Sequence, residues 1–333
     1  MRIVVLRFSS LGDIILTTSA LRYLREKYPT AKIDFVTKKE FHGVLLNNTV
    51  IDHCYLFEGQ AIRDLAEEVQ KAGDIDILLD LHNSVRSRWL RFNIKATTRL
   101  VYRKPYIKRW LLVFLKLNFF KNPRHISEQY TLPLKKLGIE PAYRLPEVSV
   151  QEPAGSVLEL TSKNAYIALG IGAKWFTKRW PVAQFARLIE LLHEAYPERN
   201  VILLGSEAEK PLVDELLIKV NPSTGLEIHD MTGQLSIQET AFIIKHAALL
   251  ISNDSALVHI ASAFETRMIA LFRSTVPEFG FAPVHAKSIV LSEPVNCKPC
   301  NHKGLANCPK KHFACAYLLS PDKVFKAVQK LLP

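Results

Sequence analysis

The sequence predicts an α/β protein built from two doubly wound domains, because short apolar runs alternate with helical patterns along nearly the whole chain. Strand-like runs occur at 2–6, 32–36 and 75–81, and a second series begins at 165–169 and 201–205. Strands that alternate with helices form parallel sheets with helices on both faces. A chain of 333 residues is too long for one ordinary core and suits two domains of roughly 150 residues each.

Helical patterns fill the intervals between these strands. The stretches 61–71 and 126–137 have apolar residues at helical spacing, and Gly138 provides a stop signal for the second. Ser236 is followed three residues later by Glu239, which is the pattern of a capping box at a helix start.

Domain boundaries are predicted from a stretch that contains several prolines and has no clear periodicity, which we interpret as a linker at about 145–162. This placement gives an N-terminal domain at 1–155 and a C-terminal domain that begins at 156.

Composition excludes several classes of protein. With 48% hydrophobic and 23% charged residues, the chain is globular and not disordered. No apolar run approaches the roughly 20 residues that span a bilayer. The apolar N-terminus superficially resembles a signal peptide, but Arg7 and Asp13 interrupt it and a strand and helix pattern follows. We therefore expect a cytoplasmic protein whose N-terminus is part of the fold.

The net charge of +12 predicts an anionic partner. Between Arg86 and Arg124 there are twelve basic residues and no acidic one, interleaved with aromatic side chains. This combination suits single-stranded nucleic acid or the anionic surface of a membrane. A solvated basic face above ordinary core aromatics is the third interpretation.

The stretch 249–263 is the most informative for function. An apolar run meets a polar Asn-Asp-Ser turn and then resumes with helical spacing, which predicts a buried strand followed by a helix. Ser252, Asn253 and Asp254 are all suitable N-cap residues. The helix start would then lie at the carboxyl end of a parallel strand, where phosphates bind. Asp254 would accept hydrogen bonds from sugar hydroxyls or cap the helix; a capped helix without any ligand explains the same residues.

Two other polar clusters follow strands in the N-terminal half. Asp13 stands where the first strand gives way to the first helix, and Gly12 beside it permits close approach of the backbone. Asp13 is a candidate general base or a helix N-cap. Residues 80–83 end another strand at the same edge, and for His82 alone we favour a partly buried, hydrogen-bonded histidine.

A candidate diphosphate site follows the first strand of the C-terminal half. Residues 170–181 contain two early glycines and the cations Lys174, Lys178 and Arg179 between a strand and a helix. Glycine backbone and clustered cations are features of sites that hold diphosphates.

These residues together resemble glycosyltransferase family 9, the ADP-heptose:lipopolysaccharide heptosyltransferases. The matching motifs, in order, are RFSSLGD, GAKWFTKRWP, GSE, TGQLS, NDSALVH and LFRSTVPEFGF with the late cysteines. The resemblance covers nearly the whole chain. It implies a GT-B fold, in which two Rossmann-like domains face a central cleft, with the acceptor held mainly by the first and the nucleotide-sugar mainly by the second. It also implies that the C-terminal domain ends at 320, giving 156–320, and that a terminal helix at 321–333 packs back toward the N-terminal domain.

The resemblance further implies an inverting reaction that needs no metal and no cofactor. Asp13 matches the family's proposed base, and Lys178 matches the lysine that neutralises the donor diphosphate. The acceptor residues implied are Ser10, His82, Arg86 and Arg88. The donor residues implied are Ala173, Lys174, Lys178, Glu207, Leu235, Asp254, Ser255, Ala256 and His259. The implied donor is ADP-heptose, the acceptor is Kdo-lipid A or a heptosylated core, and the protein would be peripheral on the cytoplasmic face of the inner membrane.

Two departures from the family pattern bear on the donor. Ala256 replaces the usual glycine and adds a methyl group where backbone and phosphate would meet. Arg273 replaces a usual small residue, and we expect its long cationic side chain to enter or block the cleft.

The cysteines leave a second interpretation open. Four of the five lie late in the chain, with His302 and His312 among them, at Cys297, Cys300, Cys308 and Cys315. This spacing is compatible with tetrahedral zinc. Disulfides are disfavoured in the cytoplasm. A reduced structural cluster is the alternative that we favour, because the family that the chain resembles carries similar cysteines without requiring a metal for catalysis.

Two other classes of protein compete with the transferase interpretation. A nucleic-acid-binding protein would use segment 86–124, but it leaves Asp13, Asp254 and the strand-end glycines unexplained. A nicotinamide dehydrogenase is the other competing class, and the absence of G-x-G-x-x-G after the first strand counts against it.

Overall fold

A computed structural model describes residues 1–163, 165–220 and 227–332. The chain divides into two compact units. Unit 1 comprises residues 1–105 and 124–150, and unit 2 comprises residues 106–123 and the chain from 151 onward. Pro333, the last residue of the predicted terminal helix, lies outside the described residues.

Unit 1 contains a five-stranded parallel sheet in the order β3-β2-β1-β4-β5. Its strands are β1 (Arg2–Leu6), β2 (Lys32–Lys38), β3 (His53–Phe57), β4 (Ile77–Asp80) and β5 (Thr98–Val101). Its α-helices are α1 (Leu11–Lys27), α2 (Ile62–Lys71), α3 (Val85–Asn93) and α5 (Ile126–Thr131). Short 3-10 helices at Lys39–Leu45 and Leu132–Leu137 complete the unit.

Unit 2 contains a six-stranded parallel sheet in the order β11-β10-β9-β6-β7-β8. Its strands are β6 (Tyr166–Gly170), β7 (Asn200–Leu203), β8 (Ile228–Asp230), β9 (Leu249–Asn253), β10 (Met268–Leu271) and β11 (Ser288–Leu291). Its α-helices are α4 (Tyr106–Trp110), α6 (Ser156–Lys163), α7 (Val182–Ala195), α8 (Lys210–Lys219), α9 (Ile237–His246), α10 (Ala256–Ala263), α11 (Ala314–Tyr317) and α12 (Pro321–Leu331). A π-helical turn at Leu111–Leu115 and 3-10 turns at Phe176–Lys178, Glu207–Glu209 and Pro277–Phe279 accompany them.

The central strands are buried along their whole length, as expected for parallel sheets covered on both faces. Every residue of β1, β6 and β9 is buried. Apolar residues therefore follow one another without alternation in 3–6 of β1 and 249–251 of β9, and the polar residues Arg2, Ser252 and Asn253 stand at the strand ends. A buried ion pair at the start of β1, between Arg2 Nε and Asp34 Oδ2 at 2.7 Å, ties that edge of unit 1 together.

The sequence predicted most of these elements. The five predicted strand runs are present as β1, β2, β4, β6 and β7, with ends shifted by at most two residues. The helix predicted at 126–137 forms as α5 and the 3-10 helix that continues it, and it ends at Gly138 with φ +69°. The Ser236 and Glu239 capping box is also present, since the Ser236 side chain accepts from the Glu239 backbone N–H. Strand β9 corresponds to the strand predicted at the start of 249–263. Strands β3, β5, β8, β10 and β11 were not predicted.

The segment boundaries differ from the predicted ones in two places. The chain passes from unit 1 to unit 2 after Val150, earlier than the predicted boundary after residue 155, and residues 106–123 belong to unit 2. The passage between the units lies within the predicted linker at 145–162, whose second half forms helix α6 from Ser156 onward. Helix α12 packs on α7 and β10 within unit 2; its predicted packing toward the N-terminal domain stays a prediction.

Within the described residues, no helix combines the length and the hydropathy required to span a bilayer.

Candidate active site

Parallel pairing collects the loops that follow the strands at one edge of each sheet. In unit 1 these loops contain Arg7 to Asp13 after β1 and Leu81 to Arg86 after β4. Arg7 Nη1 donates a hydrogen bond to the carbonyl oxygen of Leu81 at 2.6 Å, which joins the two loops. In unit 2 the loops after β6, β7, β8, β9 and β10 meet at the corresponding edge.

Asp13 is held by three side chains at the edge of unit 1. Arg7 Nη2 lies 2.8 Å from Asp13 Oδ2, and the Ser10 hydroxyl donates to the same oxygen at 2.7 Å. The Tyr130 hydroxyl donates to Oδ1 at 2.6 Å from 117 residues away. Asp13 is not the N-cap of α1, as one interpretation of the sequence had it; Ser10 is the N-cap and Asp13 is the third helical residue.

These partners determine the charge of the Asp13 carboxyl group. Although burial opposes ionisation, the Arg7 guanidinium and the hydrogen bonds from Tyr130 and Ser10 hold the pKa of Asp13 well below its usual range. The carboxylate is therefore ionised at any physiological pH, and it keeps a side-chain exposure of 18%. Sequence reasoning missed Arg7 and Tyr130. The available signal for Arg7 was a cation immediately after the apolar run 3–6 of β1; Tyr130 had none.

His82 lies beside this cluster and is uncharged. Its Nδ1 accepts a hydrogen bond from the Phe8 backbone N–H at 3.3 Å, and its ring is tilted against the ring of Phe8. Burial first, and then the charges of Arg7, Lys104 and Arg86, lower the pKa of His82 to about 3. The predicted hydrogen-bonded histidine is thus confirmed.

The predicted acceptor cations lie on the first turns of α3. Arg86 is exposed and its guanidinium lies 4.7 Å from the ring centroid of Phe57. Arg88 is exposed and donates from Nε to the Asn83 side-chain oxygen at 3.0 Å. Ser10, Asp13, His82 and Arg86 therefore belong to the loops and helix starts of one sheet edge.

In unit 2 the two most informative predicted residues are in direct contact. Lys178 Nζ lies 2.7 Å from Asp254 Oδ2, and both side chains are largely buried, with exposures of 16% and 9%. The Thr275 hydroxyl donates to the same carboxylate oxygen at 2.8 Å. An ammonium group has three hydrogens, so Lys178 can hold Asp254 and still donate to another oxygen. Sequence reasoning missed Thr275.

The helix that follows β9 begins later than predicted. Ser252 and Asn253 belong to the strand, and Ser255 is the N-cap of α10, accepting from the Leu257 backbone N–H. Asn253 instead holds both ends of the loop after β6: its side chain donates to the Ile171 carbonyl at 2.7 Å and accepts from the Trp180 backbone N–H at 3.0 Å. This amide fixes the loop after β6 against the end of β9.

Two further predicted residues lie on α10. Ala256 is its first residue and half-buried, so the missing glycine does not disturb the helix. His259 is buried one turn further on, with its ring centroid 6.1 Å from that of Phe281.

Glycines at this edge permit close contacts between neighbouring loops. A Cβ at Gly172 would lie 1.9 Å from an oxygen of the Glu209 carboxylate. Gly233 has φ +74°, and a Cβ there would lie 2.1 Å from Glu207 Oε2. In the structure, Gly172 leaves room for the Glu209 carboxylate. The sequence had predicted that this glycine lets the backbone approach a diphosphate. It also brings Glu207 beside the turn that leads to Leu235.

The remaining donor candidates lie in the loop after β6. Ala173 is buried, and its carbonyl accepts from Arg179 Nε at 2.7 Å. Lys174 is exposed, with its Nζ 6.0 Å from the centre of the Trp175 ring. All nine donor candidates therefore lie in loops or helix starts at the carboxyl edge of one sheet.

The expectation for Arg273 is wrong. Its side chain does not reach outward from the strand ends, because the residue is fully buried and its guanidinium lies 5.9 Å from the centre of the Trp180 ring. None of its three nitrogens has a hydrogen-bond partner among the described residues. Burial lowers the pKa of Arg273 to about 9, so the group is still a cation at neutral pH.

The late cysteines are free thiols, and so is Cys54. Cys297 Sγ lies 3.9 Å from His312 Nε2, and burial together with the neighbouring cysteines raises the pKa of Cys300 to about 11. Across the described part of the chain, no group of three or more His, Cys, Asp or Glu side chains is placed to hold a metal ion. The zinc interpretation of Cys297, Cys300, Cys308 and Cys315 gains no support from this geometry.

Two Rossmann-like parallel α/β units, each with charged side chains at the carboxyl edge of its sheet, define a fold of the GT-B class, as the sequence predicted. Residues 62–311 match the model of glycosyltransferase family 9 (heptosyltransferase), and the chain belongs to this family. It is therefore a glycosyltransferase.

Relatives and solved structures agree with this assignment. The chain is 26% identical to lipopolysaccharide heptosyltransferase 3 of Escherichia coli K12, over 97% of this chain and 95% of that one. The structure of Escherichia coli ADP-heptose lps heptosyltransferase II has a TM-score of 0.78 at 21% identity, covering 100% of this chain and 98% of that one. Escherichia coli heptosyltransferase WaaC with ADP-2-deoxy-2-fluoro heptose has a TM-score of 0.68 at 17% identity, covering 99% of each chain.

Replacing Tyr130 by Phe should raise the pKa of Asp13. The hydroxyl stabilises the ionised carboxylate, and a hydrogen bond to a charged group contributes about 1.5–3 kcal/mol, equivalent to about one to two pKa units. A depressed carboxyl pKa stabilises the fold above the unfolded pKa, and this contribution disappears as the pH falls through the folded pKa. As the pH falls, the Tyr130→Phe variant should therefore lose this contribution to stability at a higher pH than the wild type.

The measurement is a ¹³C NMR titration of the Asp13 carboxyl group together with urea unfolding at several acidic pH values. Tyr102→Phe is the matched control, because the Tyr102 hydroxyl is also buried but donates to Gln129. Equal Asp13 titration in wild type and Tyr130→Phe would contradict the role given to this hydroxyl.

Replacing Arg273 by Met should leave the free energy of unfolding unchanged or raise it by up to about 4 kcal/mol, because the apolar side chain has no charge to desolvate. Urea unfolding measures this. Arg187→Met, on the exposed face of α7, is the control for loss of one arginine. A large loss of stability specific to the Arg273 variant would mean that this cation stabilises the fold.

Proposed function

We propose that this glycosyltransferase moves a heptose from ADP-heptose to the inner core of lipopolysaccharide, with Kdo-lipid A or a heptosylated core as the acceptor. The observation that carries the proposal is the contact between Lys178 and Asp254 at adjacent strand ends of unit 2, in a chain of family 9. The names of its relatives, which include lipopolysaccharide heptosyltransferases, support this choice of donor and acceptor.

The donor is assigned to the strand ends of unit 2. We infer that Lys178 donates to the diphosphate and that Asp254 accepts from the sugar hydroxyls. Their contact at 2.7 Å holds both groups in place before the donor arrives. Negative charge develops on the departing ADP in the transition state. A cation that is already in position stabilises that charge and so lowers the activation barrier. Ser255, Ala256 and His259 on α10, with Ala173 and Lys174 in the loop after β6, complete the proposed donor site.

The ribose and adenine are assigned to neighbouring loops, near Glu207 and Leu235. Glu207 is exposed and Leu235 is half-buried, so both are accessible to a nucleotide. The contact of Glu207 with the Gly233 turn supports a common site for these two loops.

The acceptor is assigned to the edge of unit 1. Arg86 and Arg88 would bind its phosphates and carboxylates, with Ser10 and His82 beside them. Exposed Trp89 and Phe92 lie on the same helix, so α3 offers cations and apolar rings together, as an amphiphilic acceptor requires. His82 Nδ1 already accepts from the Phe8 backbone N–H, so the other nitrogen of the neutral ring carries the proton and the ring has no free lone pair. We therefore assign the role of base to Asp13.

The proposed step is a single displacement. Asp13 takes the proton from the attacking hydroxyl, the acceptor oxygen forms a bond to the anomeric carbon, and the bond from that carbon to the ADP oxygen breaks. One displacement from the side opposite the leaving group inverts the configuration. Its low pKa makes Asp13 a weak base, so we infer that proton transfer accompanies bond formation and does not precede it. We propose that neither a metal nor a cofactor takes part.

We further propose that the protein works at the cytoplasmic face of the inner membrane, as a peripheral protein, because the proposed acceptor is anchored in a lipid bilayer. The net charge of +12 supports attraction to an anionic surface.

Nucleic-acid binding through segment 86–124 is the weaker candidate. Several of its cations already have partners within the fold: Arg91 pairs with Asp80 at 2.9 Å, and Lys116 Nζ donates to three carbonyl oxygens. Arg109 lies against the rings of Phe279 and Phe281. A phosphate backbone would require such cations to be available.

The proposal is tested by incubating the enzyme with Kdo-lipid A, or heptosylated core, and ADP-heptose, UDP-glucose or GDP-mannose. Mass spectrometry of the acceptor should show addition of one heptose from ADP-heptose only. NMR of the new linkage should show inverted configuration, and EDTA should leave the rate unchanged. Faster transfer from UDP-glucose or GDP-mannose than from ADP-heptose would refute the donor assignment.

Asp13→Asn should lower the turnover number by about 100-fold to 10,000-fold, because the amide cannot accept the proton. ADP affinity, measured by calorimetry, should stay unchanged because Asp13 belongs to unit 1. Asp64→Asn, in the first turn of α2, is the control for removing one carboxylate. Full activity of the Asp13 variant would exclude Asp13 as the base.

Lys178→Met should weaken ADP binding about tenfold or more, because a hydrogen bond to a charged group contributes about 1.5–3 kcal/mol. Isothermal titration with ADP measures the dissociation constant. Lys219→Met, an exposed lysine on α8, should bind ADP as the wild type does. An unchanged dissociation constant for Lys178→Met would remove its diphosphate role.

A further inference from the structure

Unit 2 has an unusual apolar surface that the proposed reaction does not use. Within residues 106–119, large apolar side chains that are each 48–77% exposed follow one another closely. We name this surface the apolar ridge, and it consists of Tyr106, Ile107, Trp110, Phe114, Leu115, Leu117 and Phe119. Exposed apolar clusters of this kind mark interaction sites in folded proteins, whereas single exposed apolar residues do not.

The segment that carries the apolar ridge is packed against other residues of unit 2. Helix α4 continues into the π-helical turn Leu111–Leu115, whose Leu112 and Val113 are buried against Phe279. Lys116 then adopts a left-handed conformation with φ 57° and donates to the carbonyl oxygens of Cys297 and Pro299. One side of the segment is therefore anchored in unit 2, and the ridge is the side that is left to solvent.

The chemistry of the ridge and of its flanks identifies the partner. Residues 106–123 contain four cations and no acidic residue. Lys108, Lys116 and Lys121 are exposed, and the Lys116 ammonium group is already held by backbone carbonyls. Tyr106 and Trp110 are residue types enriched where lipid headgroups meet acyl chains. Ile107 and Leu117 have no ring on which a nucleic-acid base could stack. A helix with aromatic and aliphatic side chains beside lysines is the pattern of a segment that lies in an anionic membrane interface.

We propose that the apolar ridge inserts into the headgroup region of an anionic phospholipid bilayer and anchors unit 2 there, with Lys108 and Lys121 at the phosphates. This inference deepens the proposed membrane location, since it names the inserting segment and requires apolar insertion in addition to electrostatic attraction. The two contributions differ in their response to salt, because salt screens charges but does not weaken apolar burial.

The test is flotation of the full-length protein with vesicles of phosphatidylethanolamine and phosphatidylglycerol at a 3:1 ratio, in 0.1 M and 1 M NaCl. We expect wild-type protein to float at both salt concentrations. The variant Trp110→Ser/Phe114→Ser should reduce the partition coefficient at least tenfold at both. Lys108→Gln/Lys121→Gln should reduce it mainly at 0.1 M.

The matched control is Leu217→Ser/Ile218→Ser on α8, which removes two exposed apolar side chains from another surface of unit 2. It should float as the wild type does. Thermal unfolding of all variants identifies any loss of folding. Phospholipids with brominated acyl chains should quench tryptophan fluorescence in the wild type and less in Trp110→Phe.

Three outcomes would overturn the inference. Binding that disappears in 1 M NaCl and is unaffected by the ridge variant would show electrostatic attraction alone. A wild-type dimer that the ridge variant converts to a monomer, without vesicle binding, would make the ridge an interface between copies. Oligonucleotide binding that the ridge variant abolishes, again without vesicle binding, would make it a nucleic-acid surface.

This test is independent of the transferase proposal. Transfer to a detergent-dispersed acceptor should be equal in the wild type and the ridge variant, because the ridge lies outside the proposed catalytic and binding residues. If transfer fails in both while flotation is as expected, the proposed function is wrong and the ridge assignment stands. If transfer succeeds and flotation fails, the ridge assignment is wrong and the proposed function stands.

Discussion

Every strand pairing in the described parts of both sheets is parallel, and the positions of the candidate residues follow from this constraint. A parallel strand must be followed by a crossover that returns the chain to the opposite edge, so the residues after each strand meet at one edge of the sheet. The loops after β6, β9 and β10 thereby bring Lys178, Asp254 and Thr275 together, although 97 positions separate the first from the last. The same rule places Asp13 and His82 at one edge of unit 1.

The charges at these edges are paired within the protein. Arg7 holds Asp13, and Lys178 holds Asp254, each in a contact shorter than 3 Å. Such pairs fix both partners in orientation, which removes the reorganisation that a substrate would otherwise have to cause. They differ from the pair of Arg2 and Asp34 at the opposite edge of the sheet. The Asp34 carboxylate is fully buried, so this pair can contact no ligand and has a structural role. Partial exposure of Asp13 and Lys178 leaves them accessible to a ligand.

The basic segment that dominates the composition is divided between the two units. Residues 86–105 belong to unit 1 and residues 106–123 to unit 2, so two different units carry parts of this segment. Part of its charge is used inside the fold, as in the Arg91 contact with Asp80 and the Lys116 contacts with backbone carbonyls. What is left on the outside of 106–119 is mostly apolar. Composition alone therefore overstates how much positive charge this segment offers to an anionic polymer.

The sequence by itself determined the α/β class, the two-domain organisation, the main strands and the capping box at Ser236 and Glu239. These features depend on periodicity and on contacts between residues a few positions apart, which are visible in a one-dimensional pattern. It also determined which residue types follow the strands, because apolar runs end where polar side chains begin.

The tertiary structure decided the partners of those residues. The Tyr130 hydroxyl reaches Asp13 across 117 residues, and no local pattern encodes a contact of that length. Burial of Arg273 against Trp180, the N-cap at Ser255 and the transfer of residues 106–123 to unit 2 depend likewise on how distant segments pack. Neighbours along the chain are fixed by covalent bonds, whereas neighbours in space are selected by the folding of the whole unit.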